Sequence, residues 1–178
     1  AAILTAGRVR FDWLAVEVDV PAGADPAAQQ RTLDDARANG FKALFSLRGD
    51  AAALAADPAG YMNEFAAYAG RLAAMGAAGV EVWPEMNGPA QITPEAYIQL
   101  LGLTFNAVKT ANPDTLVITG GVAPIAPGGQ DTAFTWTTDT YIESLAAAGA
   151  GEAADCIGVH YTQGALPPDA TGGDVRGS

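Results

Sequence analysis

Cysteine and histidine are almost absent from this chain. Cys156 is its single cysteine and His160 its single histidine, so no disulfide can form within the chain. Cys156 begins the apolar run Cys156-Ile157-Gly158-Val159, which predicts a buried structural thiol. One histidine without a cysteine pair gives no set of metal ligands at the usual spacing. We therefore expect no metal site.

Basic residues are also scarce, with 9 against 20 acidic residues and a formal net charge of −11 at pH 7. Such a chain repels nucleic acid and anionic lipid surfaces, so we expect neither as a partner. No run reaches the roughly 18 apolar residues of a membrane span, and residues 1–7 lack the basic residues of a signal peptide. Because the chain begins with Ala1 rather than methionine, we expect a processed, excised or incompletely represented segment.

The sequence motifs of nucleotide enzymes and serine hydrolases are missing too. The chain has no G-x-G-x-x-G turn after its first apolar run, no phosphate-binding P-loop and no G-x-S-x-G. We therefore expect no cofactor. What is present is a globular composition, with 49% hydrophobic and 16% charged residues in a length of 178, enough for one domain with a core.

Short apolar runs recur along the chain at roughly 30 to 40 residues, which is the length of a βα unit. They predict five strands: Phe11–Val20, Phe41–Leu47, Gly79–Trp83, Leu116–Thr119 and Ile157–Tyr161. Because helical patterns separate them, we expect an α/β fold with parallel strands covered by helices. Two architectures fit, a complete or incomplete segment of a (β/α) TIM-type barrel and an open doubly wound sheet. We expect residues 1–161 to form this domain and residues 162–178, rich in Gly, Pro and Asp, to form its loop-rich tail.

Cap residues mark where the helices begin and end. Asp25-Pro26, Asp57-Pro58 and Thr93-Pro94 each place a polar cap before a proline, and Gly40 and Asn112-Pro113 are stops. A fourth helix is predicted over Asp139–Gly149. The side chains predicted to face the sheet recur at helical spacing: Tyr61, Phe65, Tyr68, Leu72 and Met75; Tyr97, Leu100, Leu101, Phe105 and Val108; Tyr141, Ile142 and Leu145.

Polar and aromatic residues that could carry chemistry follow the carboxyl ends of these strands, where α/β folds place their sites. Glu85 comes two residues after Trp83, and a carboxyl group in apolar surroundings keeps its proton near neutrality and can act as a general acid. The alternative is an exposed loop glutamate.

The other candidates would bind a ligand. Arg48 can hold a carboxylate or a hydroxyl pair, unless it pairs locally with Asp50. His160 and Tyr161 can contact sugar hydroxyls, although His160 could equally be structural. Aromatic rings stack on the apolar faces of sugars. Among the tryptophans, Trp136 in its Thr-rich stretch best fits an exposed platform, Trp83 is a further candidate, and Trp13 fits the core.

One segment resembles a known family. Val80-Glu81-Val82-Trp83-Pro84-Glu85-Met86-Asn87 is similar to the end of the fourth barrel strand in clan-A glycoside hydrolases, families 39 and 5 in particular, of cellulase or xylosidase type. The resemblance implies that Glu85 is the acid/base and that Asn87 lines the substrate cleft. Other segments resemble the family from strand two to strand six, in the family's order. Phe11–Leu14 is similar to strand two, and Ala38–Leu44 with Arg48 is similar to strand three. Ala96–Asp114 is similar to the fourth helix and the entry to strand five, and Ala146–Gly149 with Asp155–Tyr161 is similar to the run into strand six.

The chain departs from the family pattern at two points. Pro84 stands where the family has an asparagine that bonds the sugar 2-hydroxyl, and proline has neither that donor nor a backbone N–H. The second carboxylate of the family, the nucleophile, lies after strand seven, and no residue here corresponds to it. An arc of five strands also leaves two open edges, so missing chain, a partner chain or copy, or a different closure must cover them.

Two functions follow from the resemblance. The first is hydrolysis of O-glycosidic bonds in a secreted enzyme of polysaccharide metabolism, extracellular or periplasmic. Glu85 would be its acid/base, its nucleophile would lie outside the chain, and its substrate would be an oligosaccharide or polysaccharide. The second is a non-catalytic carbohydrate-binding or structural subunit derived from such a barrel, which Pro84 and the missing nucleophile favour.

Overall fold

A computed structural model of the chain describes residues 11–88, 91–123, 125 and 136–159. These residues contain a parallel sheet whose four strands lie in the order in which they occur along the chain. The strands are β1 (Trp13–Val20), β2 (Lys42–Gly49), β3 (Gly79–Val82) and β4 (Leu116–Thr119). Sequential parallel neighbours joined by helices are the arrangement of a (β/α) barrel, so the predicted α/β fold is confirmed.

Within the described ranges, four α-helices connect the strands, α1 (Gln30–Ala38), α2 (Ala51–Ala56), α3 (Pro58–Ala74) and α4 (Pro94–Ala111), and a fifth, α5 (Thr138–Ala147), follows β4. Single 3-10 turns, Pro26–Gln29 and Ala150–Glu152, precede α1 and follow α5. The predicted caps are present, since Asp57 accepts the N–H of Gly60 and Thr93 accepts that of Ala96. Helix α2 was not predicted, because its run of alanine and leucine carries no helical periodicity. Asp50 caps it by accepting two backbone N–H groups.

In the described part of the chain, an isolated β-bridge and not a regular strand stands near the start of the predicted fifth strand. Cys156 forms an isolated parallel bridge with Ile118, and its carbonyl oxygen accepts the N–H of Thr119 at 3.0 Å. His160 and Tyr161 lie outside the described residues, as does the predicted tail of residues 162–178. The prediction that Cys156 is buried was wrong, since its side chain is exposed.

The two faces of the sheet differ in chemistry. The face toward the helices is apolar and includes the buried Phe45, Leu47 and Val80. The opposite face carries a row of side chains set side by side by the strand register: Glu17, Ser46, Glu81 and Ile118. Because partners in a parallel register point to the same side of the sheet, these side chains, of which all but Ile118 are polar, lie across what would be the inside of a barrel.

Two tyrosines from the first turns of α3 and α4 join the carboxyl ends of neighbouring strands. The Tyr61 hydroxyl donates to the carbonyl oxygen of Val20 and accepts the N–H of Asp50, both at 2.6 Å. The Tyr97 hydroxyl donates to the carbonyl of Val82 at 3.0 Å and accepts the N–H of Gly120 at 2.8 Å. Burial raises the pKa of Tyr61 to about 12, so its phenol keeps the proton that it donates.

Two side chains are more exposed in the structure than the sequence predicted. Trp13, expected in the core, is 41% exposed on the edge strand β1, with the Lys42 ammonium 5.3 Å from its ring centroid. Ile142, expected to face the sheet, is 48% exposed. It is adjacent to Tyr141, whose ring is fully buried, so α5 presents a narrower apolar face than the sequence spacing indicated.

The contacts of Tyr97 predict a large loss of stability in Tyr97→Phe. The substitution leaves the buried N–H of Gly120 without its acceptor, which costs about 1–3 kcal/mol. Thr104→Val is the matched control on the same helix, because the buried Thr104 hydroxyl has no hydrogen-bond partner among the described residues. Urea unfolding followed by circular dichroism should give a lower midpoint for Tyr97→Phe and an unchanged or higher midpoint for Thr104→Val. Equal midpoints for the two variants would contradict this assignment.

Asp155 predicts a pH-dependent contribution to stability. Burial raises the pKa of this carboxyl, but hydrogen bonds from the Lys109 ammonium and the Val117 N–H, both at 2.7 Å, hold it below its ordinary value of 3.8. A lowered pKa in the folded state stabilises the protein above the unfolded pKa, and the effect disappears as the pH falls through the folded value. The difference in unfolding free energy between the wild type and Asp155→Asn should therefore be largest near pH 7 and shrink below about pH 4.

Candidate active site at the carboxyl edge of the sheet

The turn after β3 has an unusual backbone. Trp83 and Glu85 have φ angles of +53° and +58°, in the left-handed region that side-chain-bearing residues rarely adopt. Glu85 N–H donates to the carbonyl oxygen of Gly121, after β4, at 2.7 Å, and the Glu85 carbonyl accepts the N–H of Gly88 at 2.9 Å. These contacts hold the turn in a conformation that costs of the order of 1–3 kcal/mol at each such residue.

The Glu85 side chain is exposed, whereas its neighbours Pro84 and Met86 are buried. The left-handed backbone at Trp83 and Glu85 accompanies this change from buried to exposed side chains within one turn. Sequence reasoning placed Glu85 beside the Trp83 indole, and the structure separates the two side chains. What the geometry provides is a carboxyl group open to solvent on a fixed backbone, at the edge where α/β barrels bind their substrates.

Trp83 lies in the core with 0% of its surface exposed. Its ring stacks on Phe65 at 6.2 Å and meets Tyr61 edge-on at 6.3 Å, and its Nε1 donates to Gln91 Oε1 at 2.9 Å. The sequence predicted Trp83 as a substrate-binding residue, but its ring has no exposed face on which a sugar could stack. An added Cβ at Gly49 would meet this ring, so the close packing also fixes the end of β2.

Asn87 is buried at the end of the same turn and ties it to two other segments. Its side-chain oxygen accepts the N–H of Ala123 at 2.6 Å, and its amide nitrogen donates to the carbonyls of Ala123 and Trp136 at 3.0 and 3.3 Å. Trp136 is half-buried, with its ring edge-on to Tyr141 at 5.7 Å. The amide of Asn87 is thus engaged with backbone groups, and Trp136 as a residue is only partly exposed to solvent.

Arg48 is the penultimate residue of β2, at the same edge of the sheet. Its guanidinium donates to Glu17 at 2.8 Å and lies 3.8 Å from Asp19, both on β1, and its side chain is 53% exposed. The local pairing with Asp50 that the sequence allowed is absent, because Asp50 caps α2 instead. Arg48 therefore presents a donor group, already flanked by carboxylates, on the inner face near the strand ends.

Glu81 was missed by sequence reasoning. It is only 8% exposed, and its carboxyl accepts the Ser46 hydroxyl at 2.6 Å and the Gly121 N–H at 2.9 Å. The signal was available in the sequence, since Val80-Glu81-Val82 sets one acidic residue inside a short apolar strand. Acidic residues are almost never fully buried unless they are paired.

Some predicted features fall outside the described residues or have no counterpart within them. His160 and Tyr161 are among those not described. Within the described ranges, no group of histidine, cysteine, aspartate and glutamate could hold a metal ion, and no helix is both long and apolar enough to cross a membrane.

A groove of about 750 Å³ lies beside the site and includes Met86, Cys156 and Ile142 among its mostly apolar lining, but Glu85 and Arg48 do not line it.

Comparison with known proteins places this fold among barrel glycosidases. No family model and no curated protein sequence matches the chain. Among solved structures, a family 39 glycoside hydrolase from Bacteroides cellulosilyticus superposes with a TM-score of 0.55 and 20% identity over 82% of this chain and 32% of its own. The chain thus spans about a third of that enzyme.

Two further structures are less similar. One is a family 128 (subgroup II) endo-β-1,3-glucanase from Sorangium cellulosum, with a TM-score of 0.47 and 23% identity over 72% of this chain and 45% of its own. The other is a family 44 endoglucanase from Clostridium thermocellum, with a TM-score of 0.44 and 17% identity over 72% of this chain and 38% of its own. The superposition on the family 39 enzyme confirms the predicted (β/α)-barrel type of fold for this segment.

The contacts of Asn87 predict that Asn87→Ala destabilises the protein by about 1–3 kcal/mol, because the buried N–H of Ala123 loses its acceptor. Asn63→Ala is the control, since Asn63 is exposed on α3 and bonds only locally to the Ala59 carbonyl; it should change stability by about 0.5 kcal/mol or less. Urea unfolding measures both. A small effect for Asn87→Ala would show that the turn does not depend on this side chain.

Proposed function

We propose that the protein to which this segment belongs hydrolyses O-glycosidic bonds of a β-linked oligosaccharide or polysaccharide, with Glu85 as the acid/base. The observation that carries the proposal is the placement of Glu85. Its carboxyl group is exposed at the carboxyl end of the buried strand β3, while its backbone is held by Gly121 in a left-handed conformation. Backbone strain of this kind is concentrated at active sites.

The reaction assigns a separate task to each group. Glu85 in its acid form would protonate the glycosidic oxygen as the second carboxylate displaces it from the anomeric carbon, and the Glu85 carboxylate would then take a proton from the water that releases the sugar from that second carboxylate. Arg48 would bind hydroxyl groups or a carboxylate of the substrate, since its guanidinium is half-exposed on the same edge. Asn87 would support the turn, and the partly exposed Trp136 would contact a sugar face.

The second carboxylate of the reaction is left unassigned. A retaining mechanism places the two carboxyl groups about 5–5.5 Å apart, and an inverting one about 6.5–9.5 Å apart. The described sheet has four strands, half the number in an eight-stranded barrel, and the chain covers 32% of the family 39 neighbour. We propose that the nucleophile comes from further chain or from a partner or second copy that covers the sheet edges.

A second function is favoured by Pro84. This residue is buried and has no N–H, and it stands where the resembled family has a sugar-binding asparagine. A segment without that donor fits a carbohydrate-binding or structural subunit that no longer hydrolyses its ligand. In either function the ligand is a carbohydrate, and an extracellular or periplasmic location stays a prediction from the family resemblance.

The experiment compares the full-length wild type with Glu85→Gln. The probes are soluble β-1,3-glucan, β-1,4-glucan and xylan, with release of reducing sugar as the measurement. The glutamine keeps the shape of the side chain and cannot exchange the proton, so the rate should fall by about a hundredfold or more. Glu143→Gln is the control, because Glu143 is an exposed glutamate on α5, and it should leave the rate unchanged.

Equal rates for the wild type and Glu85→Gln would overturn the assignment of Glu85. If neither hydrolyses any probe while both bind one of these glycans in affinity electrophoresis, the binding subunit is the correct function.

A further inference from the structure

We infer that Glu81 is a positioning residue for Glu85, acting through Gly121. Glu81 lies on the inner face of β3, four residues before Glu85, and its carboxyl accepts the Gly121 N–H at 2.9 Å. The carbonyl oxygen of the same glycine accepts the Glu85 N–H at 2.7 Å. Gly121 therefore connects the buried carboxyl group of Glu81 to the backbone of the proposed acid/base. This inference rests on the proposed function of Glu85.

The burial of Glu81 requires an explanation that packing alone does not give. The side chain is 8% exposed in the middle of the sheet, where an apolar residue would pack without any need for hydrogen bonds. Its neighbours in the register are Ser46 on β2 and Ile118 on β4. Ser46 donates to one carboxyl oxygen at 2.6 Å, which leaves the other oxygen directed at Gly121. The arrangement orients a fixed acceptor toward the segment that holds the turn.

The position of Gly121 matters because its carbonyl oxygen holds the Glu85 N–H of the turn. Trp83 and Glu85 both occupy the left-handed region, and the turn relaxes unless surrounding contacts determine its conformation. Gly120, the adjacent residue, packs so tightly on the Trp83 and Val82 carbonyls that an added Cβ would collide with them. A shift of Gly121 would therefore move Glu85 directly. A displacement of about 1 Å at a reacting group is enough to lower a rate a hundredfold.

The variants separate the loss of the acceptor from the loss of charge. Glu81→Met fills the space without an acceptor for the Gly121 N–H. Glu81→Gln keeps an amide oxygen for that N–H, and its NH₂ group can donate to the Ser46 hydroxyl, so it should restore the contact. Ser46→Ala is the matched control, since it removes the bond on the far side of Glu81 and keeps the one to Gly121. Should Glu81→Met fail to fold, Glu81→Asp withdraws the carboxyl group by about 1.5 Å and tests the same contact.

The first readout is hydrogen exchange of backbone amides in the full-length protein, which needs no substrate. Exchange of the Glu85 amide should accelerate at least tenfold in Glu81→Met and stay near the wild-type rate in Glu81→Gln and Ser46→Ala. The Trp83 amide donates to the Leu47 carbonyl at 2.9 Å and serves as the internal reference, so its exchange should not change. Equal acceleration of both amides would mean a merely structural role and overturn the inference, as would an unchanged Glu85 amide.

The second readout is the dependence of the rate on the leaving group. A general acid matters most for a leaving group that needs a proton. Glu81→Met should therefore lose roughly tenfold to a hundredfold on the glucans and xylan and much less on 2,4-dinitrophenyl β-glycosides, with the Glu81→Gln rate close to wild type. Equal losses on both kinds of substrate would overturn the positioning role.

The two proposals fail separately. If Glu85→Gln keeps the wild-type rate, the proposed function fails whatever Glu81 does, and the amide exchange still decides whether Glu81 holds the turn. If Glu85→Gln is inactive while Glu81→Met keeps both the wild-type exchange and the wild-type rates, only the inference on Glu81 fails.

Discussion

The contact between the turn after β3 and the segment after β4 is the constraint on which the rest of the site depends. Glu85 donates its N–H to the Gly121 carbonyl, and Gly120 lies against the Trp83 carbonyl where no side chain would fit. Because two residues of the turn are in the left-handed region, the turn is stable only while this neighbour stays in place. Asn87 adds a second attachment to the same segment at Ala123. The position of an exposed carboxyl group is thus decided by buried backbone contacts.

The tyrosine contacts extend this dependence to the helices. Tyr97 joins the ends of β3 and β4 from the first turn of α4, and Tyr61 does the same for β1 and β2 from α3. Each phenol both donates and accepts, so one side chain satisfies two backbone groups at strand ends where the regular ladder stops. The helix layer, the strand ends and the turns are therefore one connected unit, and the groups proposed to bind substrate lie on its rigid edge.

Much of the fold could be predicted from the sequence, because the signals are local. Apolar runs predicted the four described strands within two residues at each end, and Asp57-Pro58 and Thr93-Pro94 predicted where α3 and α4 begin. The errors share a cause, which is that burial is decided by partners distant in sequence. Trp13 is exposed because its pairing with Lys42 places it on the inner face of the sheet, opposite the face that the described helices cover, and Cys156 is exposed although its neighbours are apolar. Helix α2 was missed because a run of alanines has no periodic pattern to detect.

The sequence by itself determined the order of strands and helices, the α/β fold and the location of Glu85 just after a central strand, since each depends on residue type and spacing alone. Only the tertiary structure decided which way the side chains of that turn point. The Trp83 indole packs in the core against Phe65, whereas the Glu85 side chain lies in solvent. The turn keeps its left-handed backbone because the Glu85 N–H is bonded to Gly121, which belongs to the segment after β4. The same long-range contact gives Glu81 its place, because Ser46, Glu81 and Gly121 meet only when β2, β3 and β4 lie side by side.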